Sequence, residues 1–507
     1  NHFSIIFYRS CHWPSTLTLS LYTKKVDLIT VSEHSGFIIF DCQVSVSLIS
    51  WESAKYEILK LFYYNFLIYF NWIYNAAPCF PIHASKINVM NDPKQFYDTL
   101  CMRFSSAKHR ISIASLYIGT GELEKKLLGV TVENVKVTDG LKLNILLDYQ
   151  RGSRGVVNSR TLFRQFFNGL NDKCTLALYQ TPSLQGSWSK ALPSRYNEIF
   201  GLQHMKLYIS DDSVIISGAN CSNDYFQKRQ DRYIEIEDSD LAKFYCAIID
   251  EVMKVSRLDN NDDIPNEISR VETRKRLGQN IHHLIDQWRK SQVSKINMEV
   301  DTWVFPLVQM GEFNITHDEE STCSILKSSP KGSYLRMATG YFNLTEKYAQ
   351  TLLNKCESRV SLLMAHPNAN GFMGAPGPAG GIPHAYSLIA KKFWQQVVDC
   401  NQTSRVQMLE YDRPGWTFHA KGLWYYPPGS EVPWMTVVGS ANLGERSVRR
   451  DLEAQAAIFT TSKQLQNSLH KEYSRLHSHA SECSSELMER HTPLWVRATV
   501  GVFKTYF

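Results

Sequence analysis

An internal duplication limits what this 507-residue chain can become. His204-Met-Lys206 leads into an apolar run that reaches Ser210-Asp211, and Ser213 begins a second run that ends in Gly218-Ala-Asn220. The alternation on either side of Asp211-Asp212 predicts a short β-hairpin. His204 and Lys206 stand two residues apart, so both side chains leave the same face. Far downstream His419-Ala-Lys421 opens a similar run, and Gly439-Ser-Ala-Asn442 closes the next. A single His-x-Lys turns up by chance about once in a chain this long, so either copy alone carries little weight. Two copies, each with its hairpin and its asparagine, form a pattern.

The flanking elements repeat in the same order. Strands predicted at 334–341, 360–365 and 406–411 correspond to those at 111–119, 143–148 and 175–179. Asp148 precedes His204 by 56 residues, and Ala365 precedes His419 by 54. Helix-like stretches at 93–106, from 122 and at 159–170 alternate with the first set of strands, which makes each half an α/β unit. The chain therefore divides into an aromatic-rich N-terminal segment (1–85), a first α/β domain (86–254), a connector (255–312) and a second α/β domain (313–507). The connector is polar at its start and then basic and helical. Two apolar stretches keep several readings open. The run at 58–74, interrupted by Lys60, Asn65 and Asn71, suits a spanning helix, an interfacial segment, core or wrongly translated sequence. The C-terminal 494–507 suits either a membrane-resting segment or a final core strand.

Composition adds exclusions. A net charge of +6 suits an anionic substrate or membrane surface and is too small by itself to signal nucleic acid. Eleven cysteines without a C-x-x-C pair argue against a disulfide framework or a zinc site, and fit a reducing compartment. Gly119-Thr-Gly121 follows a strand as phosphate-binding loops do, but it lacks the Gly-Lys-Ser/Thr ending, so nucleotide hydrolysis is not expected. The glycines of 151–155 and 371–381 permit close backbone approach to a ligand, as plain surface loops also do.

If the halves face each other, two imidazoles and two ammonium groups converge on one cleft. His204 and His419 can then divide nucleophilic attack on phosphorus and proton transfer to the leaving group, while Lys206 and Lys421 neutralise phosphoryl oxygens. Asn220 and Asn442 can donate to the same developing charge. This chemistry needs neither metal nor cofactor, and the sequence offers no metal-ligand cluster. Asp231 stands eleven residues after Asn220 and Glu453 eleven after Asn442, so they are candidates to fix the histidine tautomers; the other reading pairs them with Arg232 and Arg450. Arg151, Arg154, Arg160, Arg446, Arg449 and Arg450 are candidate seats for a second substrate phosphate, or simply a solvated basic face.

These residues resemble the paired HKD motifs of the phospholipase D superfamily, with His204, Lys206 and Asp211 as the complete copy. Tyr426 stands where the second copy would have its aspartate, and that hairpin is longer, with 23 residues from His419 to Asn442 against 16 from His204 to Asn220. A longer turn can dispense with an aspartate whose work is to brace a tight one. Ser115-Leu-Tyr-Ile-Gly-Thr-Gly-Glu-Leu-Glu, Arg151-Gly-Ser-Arg-Gly, Gly201-Leu-Gln-His-Met-Lys, Gly340-Tyr-Phe-Asn-Leu-Thr and Gly415-Trp-Thr-Phe-His-Ala-Lys-Gly-Leu-Trp are similar to eukaryotic CDP-diacylglycerol–glycerol-3-phosphate 3-phosphatidyltransferases. The resemblance runs from about residue 95 to the C-terminus. It implies two tandem phospholipase D-like α-β-α sandwich domains with the active site at their interface. It also implies CDP-diacylglycerol and glycerol 3-phosphate as substrates, a covalent phospho-histidine, and a place on an anionic mitochondrial membrane, with Asp211 counted among the site residues. The nucleophile is assigned to His204 and acid–base work to His419, with the reverse left open. A hydrolase of the same superfamily, a phospholipase or nuclease, shares these histidines. An inactive lipid-binding scaffold would be expected to have lost one of them.

Overall fold

The strands Arg110–Ala114, Lys142–Asp148 and Cys174–Tyr179 run parallel in one sheet, and Tyr334–Thr339, Arg359–Ala365 and Val406–Tyr411 do the same in another. In this computed structural model the described residues are 69–170, 172–184, 200–259, 270–292 and 300–503, with five further strands between residues 5 and 50. Residues 1–71 and 72–507 make two separate units. The first holds an antiparallel meander of the strands Ile5–Arg9, Thr16–Leu21, Ile29–Ser32, Phe37–Phe40 and Ser47–Ser50. The apolar run expected at 58–74 lies outside the described residues as far as 68. Among the described residues, no helix is long and apolar enough to cross a membrane.

The duplication is visible in the strand order. Each parallel trio is extended by an antiparallel hairpin: Leu207–Ser210 with Ser213–Ser217 in the first half, Gly422–Tyr426 with Met435–Gly439 in the second. Tyr233–Glu237 and then Ile87–Met90 complete the first sheet. Leu452–Thr460 and then Thr302–Met310 take the same places in the second. Thr302–Met310 lies inside the stretch expected as connector. All nine of its residues are buried, and residues 303–308 within it read as an unbroken apolar run because both faces are covered. Phe80–Ile82, expected in the N-terminal segment, pairs with it.

Burial on both faces also explains the composition of the hairpins. Leu207, Ile209, Val214 and Ile216 point to a core that includes Val304, Leu452 and Ile458 of the second half. Their neighbours Tyr208 and Ile215 point to the opposite core, with Phe96, Leu100 and Leu127. The helix Pro93–Ser106 starts where Asp92 accepts from the Gln95 amide with Pro93 at the first position, and it supplies Phe96, Leu100 and Phe104. The helix Ser239–Lys254, capped by Asp238, supplies Leu241, Phe244 and Ile248 to the shared core. One apolar core thus spans both halves. The C-terminal segment is a helix, Leu494–Phe503, and not the strand that was one of its readings; Val496 and Val500, one turn apart, are its buried contacts.

Candidate active site

Both His-x-Lys segments lie just ahead of their hairpin strands, and each is stitched to the opposite half. Gln203 bridges Leu452 in parallel, with His204 N donating to Leu452 O and Leu452 N to Leu202 O. In return Arg229–Gln230 pairs in parallel with Thr417–Phe418, and His419 N donates to Gln230 O at 2.8 Å. The approach is close enough to demand glycine. Gly201 has φ +125°, and a Cβ there would lie 2.5 Å from the Arg450 carbonyl oxygen.

The crossing determines which carboxylate meets which imidazole. His204 Nδ1 lies 2.9 and 3.0 Å from the Glu453 oxygens, and His419 Nδ1 lies 2.7 Å from Asp231 Oδ2. Each histidine is therefore oriented by the other repeat. The Arg232 guanidinium is not turned to Asp231: it is fully buried against Glu472, stacks 3.8 Å from the Trp424 ring and donates to Val437 O. A carboxylate on Nδ1 leaves Nε2 of each ring for chemistry. Glu453 is itself held by Ser440 and Ser447 hydroxyls at 2.5 and 2.7 Å.

The lysines differ. Lys206 Nζ donates to His204 O at 2.6 Å and Lys421 Nζ likewise to His419 O at 3.0 Å, but Lys421 Nζ also lies within 3.1 Å of both His419 ring nitrogens. Burial, then the neighbouring lysine, pulls each histidine well below its ordinary range, so both rest as neutral bases. Burial also pulls Lys206 well down and Lys421 down to about 8. It pushes Glu453 up and Asp231 up to about 6. Asn220 and Asn442 are buried beside the motifs, and each has a side-chain oxygen with no hydrogen-bond partner in the structure. Asn442 lines a cavity of about 20 Å³ with Tyr341, Tyr386, Arg446 and Ser447.

Asp211 does not join this group. It sits at the hairpin turn with φ 50°, and its carboxylate accepts from the backbone amides of Lys108, His109 and Arg110. Burial raises its pKa, but those three amides outweigh it and hold the carboxyl below its usual range. Its work is the turn. Tyr426, at the matching position, is a strand residue that meets His470 Nδ1 and the Arg336 guanidinium.

Of the six arginines singled out in the sequence, Arg446 reaches the cleft, where it pairs with buried Asp451 at 3.0 Å. Arg160 is tied to Asp259, and Arg449, exposed, to Glu445. Arg151, in the short helix Tyr149–Gly152, lies over the Tyr117 ring, Arg154 follows that helix, and Arg450 meets Gly201 through its carbonyl. Three residues beside His419 escaped the sequence reading. Tyr225 Oη lies 3.3 Å from His419 Nε2, Tyr341 meets the ring edge-on, and Arg229 touches both tyrosines. His204, Asp451 and Glu453 bring ligand atoms within 4.8 Å of one another, but Arg446, Ser440 and Ser447 already engage the carboxylates, so the set fits protein hydrogen bonding better than a metal.

Duplicated α/β halves that place two His-Lys pairs, each tuned by a carboxylate of the other, in one buried cleft define the phospholipase D class. No protein-family model matches the chain. Phosphatidylserine synthase of Haemophilus influenzae shares the fold, with TM-score 0.65 and 20% identity over 86% of this chain and 96% of that one. Two relatives are far nearer in sequence. The mitochondrial CDP-diacylglycerol–glycerol-3-phosphate 3-phosphatidyltransferases of Gallus gallus and Homo sapiens are each 39% identical, and each alignment covers 86% of both chains. A probable enzyme of the same name from Dictyostelium discoideum is 35% identical over 90% of this chain and 83% of its own. The chain belongs to the CDP-diacylglycerol–glycerol-3-phosphate 3-phosphatidyltransferase family.

Proposed function

We propose that this chain transfers the phosphatidyl group of CDP-diacylglycerol to glycerol 3-phosphate, releasing CMP and forming phosphatidylglycerophosphate, in mitochondria. The observation that carries the mechanism is the crossed pairing, which frees one Nε2 on each half. His204 Nε2 has no hydrogen-bond partner among the described residues, whereas His419 Nε2 meets Tyr225 and Lys421. That difference favours His204 as nucleophile. Its Nε2 forms a bond to the diacylglycerol-side phosphorus, and the P–O bond to CMP breaks. CMP is a phosphate leaving group and needs little protonation, so a neutral His419 suffices at this stage. The second step needs a base, which a histidine of lowered pKa supplies. His419 takes the proton of the glycerol 3-phosphate 1-hydroxyl as that oxygen attacks and the P–N bond breaks. Lys206 and Lys421 hold the phosphoryl oxygens through both steps, with Asn220 and Asn442 donating beside them.

The lipid substrate requires access from a bilayer surface. Trp495 (51% exposed) lies where the C-terminal helix meets the glycine-rich loop, since a Cβ on Gly381 would collide with its ring, and Leu494 (79%) precedes it on that helix. An exposed aromatic and aliphatic side by side on that helix suit insertion at a membrane interface.

The test supplies purified protein with CDP-diacylglycerol and radiolabelled glycerol 3-phosphate in detergent micelles. Label entering lipid with wild type, and with neither His204→Ala nor His419→Ala, is the expected result. CMP and phosphatidic acid without label transfer would make water the acceptor and the protein a hydrolase.

A further inference from the structure

The two halves reverse a pair of charges. In the second repeat, Arg446 stands four residues after Asn442 and Asp451 nine after, and the two close into an ion pair. In the first repeat, the same offsets from Asn220 give Asp224 and Arg229. Asp224 is exposed, and no ion pair joins the two. Arg229 is instead carried by the parallel pairing of Arg229–Gln230 with Thr417–Phe418 to the side of His419.

There its guanidinium lies 4.6 Å from the centre of the Tyr225 ring and donates from Nη2 to Tyr341 Oη at 2.8 Å. Those two rings are the ones that meet His419 edge-on, at 5.1 and 5.4 Å. Arg229 Nε is shut off from solvent without a hydrogen-bond partner, and among the described residues no carboxylate lies within ion-pair distance of the group. The glycine-rich loop roofs it: a Cβ on Gly371 would stand 2.8 to 3.0 Å from the guanidinium atoms. A guanidinium cannot shed its charge, so burying it near Lys421 with no carboxylate in ion-pair contact, and only the longer-range fields of Asp224 and Asp231 to offset it, is costly. Planar donors held by aromatic rings are ready for a phosphate, which accepts from guanidinium bidentately.

We propose that Arg229 seats the phosphomonoester of the acceptor, placing glycerol 3-phosphate on the His419 side of the cleft. The assignment rests on the reaction proposed above. The CMP phosphate of the donor carries the same chemistry and also leaves past His419, so the experiment separates the two. Arg229→Met is assayed for transfer to glycerol 3-phosphate, for transfer to glycerol, and for exchange of labelled CMP into CDP-diacylglycerol, which needs no acceptor.

If Arg229 seats the acceptor, kcat/KM for glycerol 3-phosphate falls about 100-fold, mainly through KM. The preference over glycerol falls by the same factor, and CMP exchange falls far less. Gly371→Ala, which pushes on the guanidinium from the loop, gives the same selective loss at smaller size, about 10-fold. Equal loss of exchange and transfer would move the residue to the donor phosphate and overturn the proposal, as would an unchanged preference over glycerol. Binding is read separately by thermal shift with glycerol 3-phosphate. Stabilisation of wild type but not of Arg229→Met supports the seat even if wild type shows no transfer, an outcome that would sink only the proposed reaction. Equal stabilisation of both overturns the seat itself.

Discussion

The His204 and His419 neighbourhoods share a scaffold and differ in their charges. Around His204 the carboxylate Glu453 is clamped by two serines, and the nearby Arg446 is neutralised by Asp451. Around His419 the carboxylate Asp231 has the Arg232 backbone amide, a lysine lies against the ring, and Arg229 makes no ion-pair contact among the described residues. Duplication supplied two equivalent hairpins. Differences around them fit the roles proposed here, with one side holding the covalent intermediate and the other handling incoming and outgoing phosphates. The same division appears at the turns, where Asp211 braces one hairpin and Tyr426 packs into the sheet in the other.

The largest effect we expect comes from the crossed carboxylates. Glu453→Gln and Asp231→Asn can each donate to Nδ1 and so fix the wrong tautomer, and each should lower transfer by about 1,000- to 10,000-fold with the fold intact. Steady-state rates alongside circular dichroism check this. A loss of only a few-fold in either variant would mean that its histidine does not depend on the opposite half.

Next is the bolt between the halves. Arg232→Met leaves the buried Glu472 carboxylate with no cation and only Trp424 Nε1 as donor, and should cost about 3–5 kcal/mol in denaturant unfolding. Replacing both partners with apolar residues should restore most of that loss. If the single variant is neutral, this ion pair does not contribute to holding the halves together.

The pH profile probes the His419 side. Protonating Asp231, raised to about 6 by burial, removes the acceptor from His419, so kcat/KM should fall below that pH. Deprotonating Lys421, lowered to about 8 by burial, removes a phosphate-holding charge, so activity should also fall above it. Lys421→Arg cannot deprotonate in this range and should lose the alkaline limb. An alkaline limb that persists in that variant belongs to another group.

The smallest expected difference lies at the turns. Asp211→Ala removes three backbone acceptor contacts and places a non-glycine, non-Asx residue at positive φ, which should cost about 2 kcal/mol. Tyr426→Phe loses one 3.3 Å contact and should cost about 0.5–1.5 kcal/mol. Neither should change turnover of the folded enzyme. A large rate loss in Asp211→Ala at constant folded fraction would return that residue to the reacting centre.

Periodicity and repeat spacing made the parallel trios, the hairpins, the His-Lys pairs, the asparagines and even the tautomer-fixing carboxylates legible in the sequence. Spacing could not show that the carboxylates cross over, because that depends on how residues 201–204 and 228–230 lie against the opposite half. Arg229 was hidden for the opposite reason: its counterpart in the second repeat is Asp451, so looking for what the repeats share passes over the position where they differ. Thr302–Met310 was absorbed into the connector because the polar stretch after Leu258 marked a boundary that the long helix Arg270–Gln292 then carried on. For the clustered arginines the sequence left both readings open, and the structure ties Arg160 to the buried Asp259 of a distant segment and Arg449 to Glu445 one turn before it.

The asymmetry between the halves is tested most directly by trapping the covalent intermediate. His419→Ala is mixed with CDP-diacylglycerol, and the protein is analysed by intact mass and peptide mapping at neutral to alkaline pH, where phospho-histidine survives. Without a base to activate the acceptor, a phosphatidyl adduct should accumulate on His204, with no adduct in His204→Ala. An adduct on His419 in the His204→Ala protein, and none on His204, would contradict the assignment and exchange the roles of the two halves.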